Sequence, residues 1–327
     1  MTLLITGIHG FVGSNLVSAL KERHSIYGLD IVSPEKEGVI KTYSWNELAL
    51  LPEVDAIIHL AGKAHDTKNK SQAQDYFDIN TGLTQKMFDY FLQSKAKQFI
   101  FFSSVKAAAD TVEGDYLTED VIPHPVGPYG ESKIAAEKYI LNKEQGIAGQ
   151  ARNDNLRFQE TADQAHEKRI YIFRPCMIHG PGNKGNLNLL YNVVSKGIPY
   201  PLGDFENQRS FLNIWNLTYI VEQFILQSPE SGIYHLADDE PVSSNELVEL
   251  IAKSKNRKAR IWKVNHTLIS IMARIGTVCK LPFNSERLQK LTENYIVSNQ
   301  RMKDALKINH LPVDARTGLQ QTFATFK

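Results

Sequence analysis

The sequence is short of cysteine and of charge of one sign. Its 327 residues include only 2 cysteines, Cys176 and Cys279, which are too few for a disulfide framework or a cysteine-built metal cluster. We therefore expect a reducing, cytoplasmic setting and no bound metal. The formal net charge of +1 gives no electrostatic reason to bind nucleic acid.

Long apolar runs are also missing, so we expect no membrane span. The sequence opens on a strand-like segment rather than on the basic and apolar regions of a signal peptide. The longest apolar candidate, residues 268–283, is interrupted by Arg274 and Lys280. Apolar residues recur there at helical spacing, which predicts an amphipathic helix. We expect that helix to pack in the core or in a dimer interface, with a membrane surface as the alternative. Its apolar residues are Leu268, Ile271, Met272, Ile275 and Val278.

The first twenty residues contain a strand, a glycine turn and a helix in that order. An apolar run at 2–6 predicts a buried strand, and the helical spacing of apolar residues after the turn predicts an amphipathic helix. Gly7 permits a tight bend, Gly10 lets the backbone approach a pyrophosphate, and Gly13 lets helix and strand pack closely. This order predicts a dinucleotide site. Its residues are Gly7, His9, Gly10, Phe11, Val12 and Gly13.

An acidic residue follows the second predicted strand, at 25–29. Asp30 is placed there to accept hydrogen bonds from the ribose hydroxyls of the adenosine. The same carboxylate would repel a 2′-phosphate. The sequence therefore predicts NAD rather than NADP as the cofactor.

A tyrosine, a lysine and a serine form the candidate catalytic group. Tyr129 and Lys133 are four residues apart, so on a helix they share one face, where the ammonium can stabilise a tyrosinate and lower the pKa of the phenol. Ser104 follows a predicted strand at 98–102 and could bond the same substrate oxygen. This spacing also occurs on solvated helix faces, so its weight depends on the nucleotide site that precedes it. With that site, it predicts general acid/base catalysis.

Several motifs occur together in a fixed order. They are Thr6-Gly7-x-x-Gly10-Phe11-x-Gly13, Asp30, Asp55-x-x-x-His59-Leu60-Ala61-Gly62, Asn80, Ser103-Ser104, Tyr129-x-x-x-Lys133, Arg174-Pro175, Gly180-Pro181-Gly182 and Arg209-Ser210-Phe211. In this respect the chain resembles the extended short-chain dehydrogenases/reductases, and among them the NAD-dependent epimerase/dehydratase family that works on nucleotide sugars. The resemblance extends over nearly the whole chain.

The resemblance implies an α/β fold, with a Rossmann-type doubly wound parallel sheet and a smaller C-terminal substrate domain. We expect residues 1–174, with a return segment at about 206–233, to bind NAD. Residues 175–205 and 234–327 are then expected to bind the nucleotide sugar. A homodimer is expected as well.

The resemblance also implies roles for single residues. The catalytic residues would be Ser104, Tyr129 and Lys133, of which Tyr129 and Lys133 also contact the cofactor. Asp55 and the segment Leu60, Ala61 and Gly62 would lie near the adenine and the cofactor phosphates. Asn80 would support the backbone of the active site, and His59 is expected to be a packed strand-end residue. The implied substrate-binding residues are Ser104, Lys106, Asn186, Arg209 and Arg287.

The chain departs from the family pattern in two places. Met177 and His179 stand where the family often has asparagine and tyrosine, so a substrate contact at the first position is in doubt. The polar segment 142–168 makes the connection between Tyr129 and Arg174 longer than the family usually has. We expect a surface loop or a helical extension there, or alternatively a segment that mediates assembly.

Three functions remain open from the sequence. The first is a C4 epimerase of a UDP-hexose or UDP-N-acetylhexosamine, in surface polysaccharide synthesis. The second is an NAD(P)H-dependent 4-reductase of a UDP-4-keto-6-deoxy-N-acetylhexosamine, and the third is a non-enzymatic NAD-binding regulator, against which the intact catalytic residues argue. Dehydration is disfavoured because Val105 and Lys106 stand where the related dehydratases carry an Asp-Glu pair.

Overall fold

A computed structural model describes residues 1–64, 72–153, 168–279 and 284–326 of the chain. Its strands are β1 (Thr2–Thr6), β2 (Ser25–Asp30), β3 (Lys41–Ser44), β4 (Ala56–His59), β5 (Gln98–Phe102), β6 (Arg169–Pro175), β7 (Met177–His179), β8 (Phe211–Asn213) and β9 (Gly232–Leu236). Seven of them form a parallel sheet in the order β3-β2-β1-β4-β5-β6-β9, and β7 pairs with β8.

The helices surround this sheet. They are α1 (Phe11–Leu20), α2 (Ala73–Tyr76), a π-helix (Phe77–Gly82), α3 (Leu83–Gln93), α4 (Val105–Ala108), α5 (Gly127–Asn153), α6 (Asn186–Ser195), α7 (Ile214–Gln227), α8 (Ser244–Ser254), α9 (His266–Val278), α10 (Ser285–Thr292), α11 (Gln300–Leu306) and α12 (Ala315–Thr325).

Helices cover both faces of the sheet, which explains why its central strands carry apolar residues on both faces. On β1, Leu3 and Ile5 face a core shared with α1 and α7, whereas Leu4 faces a second core shared with α3 and α5. All three side chains are fully buried. The predicted α/β class with a Rossmann-type parallel sheet is confirmed.

The predicted strands at 2–6 and 98–102 are observed with these bounds. The apolar run at 54–60 also predicts a strand, and β4 lies within it. No sequence pattern marks β3, a four-residue edge strand in which only Tyr43 is buried, or the three-residue strands β7 and β8. The helical spacing of apolar residues over 72–93 predicts a single helix, but the π-helix, which carries Asn80, divides it.

The later part of the chain forms two further apolar cores. Helices α6, α8 and α12 share one apolar core, and α9 and α10 share another with Leu202. Strand β9 pairs with β6 in the main sheet, so the boundary expected near residue 234 falls inside a strand. The division into two domains stays a prediction.

The polar segment 142–168 is helical in its first part. Helix α5 extends to Asn153, so the expected helical extension is observed as far as that residue, and residues 154–167 lie outside the described part of the chain. At the end of this segment, the Lys168 ammonium donates to the carbonyls of Phe91 (3.0 Å), Ser94 (2.7 Å) and Ala96 (2.8 Å).

Helix α9 does not bury the apolar face predicted for it. The side chains of that face are 48–83 % exposed, so the expectation that they pack in the core of this chain is wrong. Helical spacing shows that a helix has an apolar face, but it does not show what the face contacts. Among the described residues, no helix combines the length and the apolar character needed to cross a membrane.

Candidate active site

The glycine turn lies between β1 and α1, at the carboxyl edge of the sheet. Gly7 has a φ of +66°, and the Gly10 amide donates to its carbonyl at 3.0 Å. A Cβ at Gly13 would come within 2.5 Å of the Gly7 oxygen, and one at Gly7 within 3.0 Å of the Ala61 nitrogen. The turn is therefore a cradle that side chains would fill, and the N-terminus of α1 adds amide donors for an anion. These features fit a dinucleotide pyrophosphate. Phe11 and Val12, in the first turn of α1, are partly exposed.

Asp30 lies beside this turn, at the end of β2. One carboxylate oxygen accepts from the His9 amide at 3.0 Å and the other from the Ile31 amide at 2.7 Å. The residue remains partly exposed, so it can reach a ribose hydroxyl while it holds the turn. Its register partner at the end of β3 is Ser44, which sequence reasoning missed because β3 itself was not predicted.

A buried hydrogen-bond chain supports the turn from below. The Thr6 hydroxyl accepts from the Leu60 and Ala61 amides at 3.1 and 3.0 Å, so its own proton is free to go to His59 Nδ1 at 2.7 Å. His59 Nε2 then donates to the Thr84 hydroxyl at 3.1 Å. Burial, with the nearby Lys133 charge, lowers the pKa of His59 to about 3, so the ring is neutral. His59 is the packed residue expected.

Asp55 lies at the opposite edge of the sheet. Its carboxylate accepts from the Thr2 amide at 2.7 Å, where β1 begins, whereas the glycine turn follows the end of β1. The expectation that Asp55 lies near the cofactor is wrong, because it precedes its strand and parallel sheets bind ligands where strands end. Leu60, Ala61 and Gly62 follow β4 and do lie at the cofactor edge.

Ser104, Tyr129 and Lys133 meet at the carboxyl end of β5. The Ser104 hydroxyl caps α4, accepting from the Lys106 amide at 3.2 Å, and forms a hydrogen bond with the Tyr129 hydroxyl. The Lys133 ammonium is buried and donates to the Phe102 carbonyl at 2.8 Å. Gly130 lets α5 pack closely against α4, since a Cβ there would lie 2.4 Å from the Lys106 carbonyl oxygen. The sequence-predicted group is thus brought together.

The pKa values of this group differ from the expectation. Burial raises the pKa of Tyr129 above its usual value, and the Ser104 hydrogen bond opposes that rise while the Tyr76 phenol adds to it. Burial lowers the pKa of Lys133 to about 8, and the Glu137 carboxylate opposes that fall. The expected lowering of the phenol's pKa by Lys133 is absent because the lysine is turned towards the Phe102 carbonyl. Tyr129 is therefore protonated at neutral pH in this structure.

Asn80 connects α5, which carries Tyr129 and Lys133, to the edge of the sheet that carries the glycine turn. Its side-chain oxygen accepts from the Lys63 amide at 2.7 Å, and its amide group donates to the Ser132 hydroxyl at 2.9 Å. A Cβ at Gly62 would come within 2.9 Å of the Asn80 oxygen and 3.0 Å of the Lys133 nitrogen. Asn80 is completely buried, and this geometry agrees with the supporting role expected of it.

A buried ion pair lies under the same helix. Arg174 donates to Glu137 through Nε at 3.0 Å and through Nη2 at 2.6 Å, and Ser103 donates to the same carboxylate. Both charged side chains are at most 2% exposed. The sequence motifs marked Ser103 and Arg174 but not Glu137, which becomes visible only when α5 is placed against β5 and β6.

Lys106 and Arg209 both lie beside Tyr295, the first through its side chain and the second through its backbone. The Lys106 ammonium lies 4.6 Å from the centre of its ring and donates to the Asp110 carboxylate at 2.8 Å. Arg209 is hydrogen-bonded along the backbone to Val242, and its charge opposes the rise in the pKa of Tyr295 that burial causes. Tyr295 was missed by sequence reasoning, because nothing local distinguishes it. Anionic oxygens would be attracted between the two cations.

The other two expected substrate residues, Asn186 and Arg287, lie on later helices. Asn186 is exposed at the first position of α6, and Arg287 belongs to α10, with its side chain outside the described structure. Met177 is partly exposed at the start of β7. His179 is fully buried and bonds the Thr322 hydroxyl at 2.8 Å, and burial lowers its pKa to about 3, so a packing role fits it.

Comparison with known proteins places this geometry in context. The sequence model of the NAD dependent epimerase/dehydratase family matches residues 3–235. A UDP-glucose 4-epimerase of Vibrio cholerae is 31% identical over 268 residues, covering 77% of this chain and 75% of that protein. The N-acetyl-alpha-D-glucosaminyl-diphospho-ditrans,octacis-undecaprenol 4-epimerase of Escherichia coli O157:H7 is 25% identical, covering 92% of this chain and 84% of that protein.

Solved structures give the same fold. The protein MoeE5 in complex with UDP-glucose and NAD superposes with a TM-score of 0.71 at 19% identity, covering 99% of this chain and 97% of that one. At this identity the likeness concerns the fold alone.

Proposed function

Because the chain belongs to the NAD-dependent epimerase/dehydratase family of enzymes, we propose that it inverts C4 of a UDP-linked hexose or N-acetylhexosamine. The observation that carries this proposal is the meeting of Ser104, Tyr129 and Lys133 next to the glycine turn that fits NAD. Acid/base and cofactor groups then act on one carbon. Bound NAD supplies the hydride acceptor and donor, and the protein supplies position and proton transfer.

Tyr129 and Ser104 are proposed to bind the C4 oxygen. The hydrogen bond between their hydroxyls supports the binding of one substrate oxygen by both. As a phenolate, after its own proton has gone to solvent, Tyr129 takes the hydroxyl proton as C4 is oxidised. It returns that proton after the 4-keto sugar has rotated to present its other face. Lys133 stabilises this phenolate when its ammonium turns from the Phe102 carbonyl towards Tyr129.

The diphosphate is proposed to lie at the Lys106–Tyr295–Arg209 group, with Asn186 and Arg287 as outer contacts. An arginine fork matches paired phosphate oxygens, and a lysine adds a point charge. Val105 is 4 % exposed and Lys106 is a cation, so neither supplies the carboxylate that a dehydration across C5 and C6 requires.

Product analysis with two substrates tests the proposal. The protein is incubated with UDP-N-acetylglucosamine without added NADH, and separately with its 4-keto-6-deoxy derivative plus NADH, while NMR follows the sugar and absorbance follows NADH. Conversion of the first substrate without NADH is expected, since an epimerase regenerates its cofactor. NADH oxidation with the second substrate alone would identify a 4-reductase instead.

The Tyr129→Phe variant is the control for mechanism. Turnover should fall by about 10²–10⁴-fold, the usual contribution of general acid/base catalysis, while NAD binding persists. A non-enzymatic NAD-binding protein would convert neither substrate. Conversion that continues undiminished in the variant would remove Tyr129 from the mechanism.

A sugar diphosphate carried on a polyprenol is a second candidate substrate. The Escherichia coli relative is named for such a compound, and the observation that favours it here is the exposed apolar face of α9 on the substrate side. Undecaprenyl diphosphate N-acetylglucosamine in vesicles is therefore added as a third arm. A higher kcat/KM for this lipid than for the UDP-sugar would assign the substrate to the lipid-linked class.

A further inference from the structure

The exposed apolar face of α9 takes no part in the proposed catalytic group. Five apolar side chains point to solvent over three turns, with exposed fractions of 52 % for Leu268, 48 % for Ile271, 51 % for Met272, 54 % for Ile275 and 83 % for Val278. The opposite face of the helix is anchored, because Ile269 and Ala273 are buried with Leu202. A helix apolar on both faces, with one face in water, indicates a partner.

The sequence around this helix carries charge of one sign. Residues 250–285 contain eight lysines and arginines and neither aspartate nor glutamate. The seven of these cations that the structure describes are all exposed. They are Lys253, Lys255, Arg257, Lys258, Arg260, Lys263 and Arg274. Trp262, four residues before α9, is 59 % exposed, and the carboxylate of Asp204 lies 3.5 Å from His266 at the start of the helix.

We propose that this surface, formed by the apolar face of α9 and the basic residues 253–274, docks the protein onto a membrane rich in anionic phospholipids. An amphipathic helix that presents apolar and basic side chains lies in the interface between headgroups and acyl chains. Each lysine or arginine near such a surface adds electrostatic attraction. Apolar insertion and charge attraction therefore act on the same part of the chain.

A second copy of the chain fits this surface less well. A symmetric dimer places the same patch against itself, so the exposed cations of one protomer would face those of the other. Like charges set against each other oppose association. An anionic lipid surface supplies the opposite charge, so the charge pattern favours the membrane over a dimer.

Docking would hold the substrate side of the protein at the membrane. The buried face of α9 packs on Leu202, and His266 stacks on Phe205 with ring centres 4.0 Å apart. This segment leads directly to Arg209. The proposed membrane contact is independent of the reaction, and its test does not use activity.

Vesicle flotation of the full chain provides the test. The protein is mixed with phosphatidylglycerol/phosphatidylethanolamine vesicles or with pure phosphatidylcholine vesicles. We expect at least about tenfold more bound protein with the anionic vesicles, and loss of most of it in 0.5 M NaCl, because salt screens the surface charges. Equal recovery with both vesicles, or none with either, would overturn the proposal.

Matched variants separate the two components. Ile271→Asp/Ile275→Asp should abolish flotation, and Lys258→Glu/Lys263→Glu should reduce it about tenfold or more. The control Ile122→Asp/Leu226→Asp places two carboxylates at exposed apolar positions away from α9, which are 87 % and 58 % exposed, and should bind vesicles as the native protein does. Circular dichroism confirms that each variant is folded.

Sedimentation equilibrium tests whether a second copy of the chain, rather than a membrane, covers this surface. We expect the Ile271→Asp/Ile275→Asp variant to have the oligomeric state of the native protein. A native dimer that this variant converts to monomers, with no vesicle binding by either, would assign the surface to a second copy of the chain and reject the membrane.

Discussion

The two sides of the candidate site differ in the atoms that form their surfaces: backbone atoms on one side and long side chains on the other. On the cofactor side, Gly7, Gly10 and Gly13 shape the surface with backbone, and added carbons would meet other backbone atoms at 2.5–3.1 Å. On the proposed substrate side, the surface is formed by long cationic side chains, since the Lys106 ammonium lies over the Tyr295 ring and Arg209 pairs with Tyr295 along the backbone. A backbone surface has no rotamers through which to relax, whereas a side-chain surface can change while the fold remains.

This difference predicts which properties a substitution on each side should alter. Substitution on the cofactor side is expected to act on folding and NAD binding together. Substitution on the substrate side is expected to change affinity and selectivity and to leave the fold intact. The catalytic group lies between them, with Lys133 buried on the sheet and Tyr129 partly exposed.

The largest effect is expected from Gly13→Ala. The new Cβ would lie 2.5 Å from the Gly7 oxygen and 2.8 Å from Ile8 Cα, so the turn must move. We expect the free energy of unfolding to fall by about 1–3 kcal/mol and the Kd for NAD to rise by about 100-fold. Urea unfolding and calorimetry measure the two quantities.

The matched control is Gly146→Ala, a helical glycine whose added Cβ would meet nothing within 4 Å. It should raise the free energy of unfolding by about 0.5–1 kcal/mol and leave NAD binding unchanged. If both variants behave alike, the cofactor side is not the backbone-built surface described.

Arg209→Ala should break the substrate side alone. Loss of a charged hydrogen-bonding fork is expected to weaken UDP binding by about 10–100-fold, with the Kd for NAD unchanged. Arg209→Lys should recover only part of the affinity, because the fork is lost. Arg316→Ala, at a surface arginine paired with Glu246, is the control. Calorimetry showing unchanged UDP affinity for Arg209→Ala would disprove the assignment.

The lowered pKa of Lys133 should make both kcat/KM and the free energy of unfolding depend on pH. With a pKa lowered from 10.5 to about 8, its ammonium is lost above pH 8, and kcat/KM should then fall by about tenfold per pH unit. Stability should move the other way. Between pH 8 and 10.5 the unfolded chain holds more protons than the native one, so this residue makes the free energy of unfolding rise with pH, by up to about 3 kcal/mol.

Lys133→Met isolates this contribution. The difference in the free energy of unfolding between the native protein and the variant, measured by urea at pH 7 and at pH 10.5, should change by about that amount. A difference that does not vary with pH would mean that Lys133 is not held at a lowered pKa.

The smallest effect is expected from Asp30→Ala. The substitution removes the acceptor of the His9 amide and the group that repels a 2′-phosphate, so NAD should bind about 5–10-fold more weakly and NADP should be excluded less. Asp30→Asn keeps an acceptor and loses the charge, which separates the two causes. Equal affinity of the native protein for NAD and NADP would contradict the role given to Asp30.

The predictable part of the site is local in sequence. Gly7 to Gly13 and Tyr129 with Lys133 were found because one turn or one helix contains the whole pattern. Tyr295 could not be found in this way, since the Ala109 carbonyl to which its hydroxyl donates, at 2.8 Å, lies 186 residues away. Glu137 was missed for the same reason, because only the packing of α5 on the sheet brings it to Arg174.

Two errors have a different origin. Asp55 belongs to a matching motif, but its place before β4 rather than after it sends the carboxylate to the wrong edge of the sheet. For α9, the spacing of apolar residues predicted the helix correctly, but the prediction that its apolar face packs in the core was wrong. In both cases the element was identified correctly. The error concerned which part of the folded molecule lies next to it.

The strand order has a consequence for synthesis on the ribosome. Strand β6 ends at Pro175, and its outer neighbour β9 begins only at Gly232. At ordinary translation speeds the growing chain waits about 3–11 s between the two. During that interval one edge of an apolar strand has no partner from its own sheet, and unpaired edges invite pairing with other chains. Nascent chains halted between these strands are therefore expected to need chaperones more than chains released after β9.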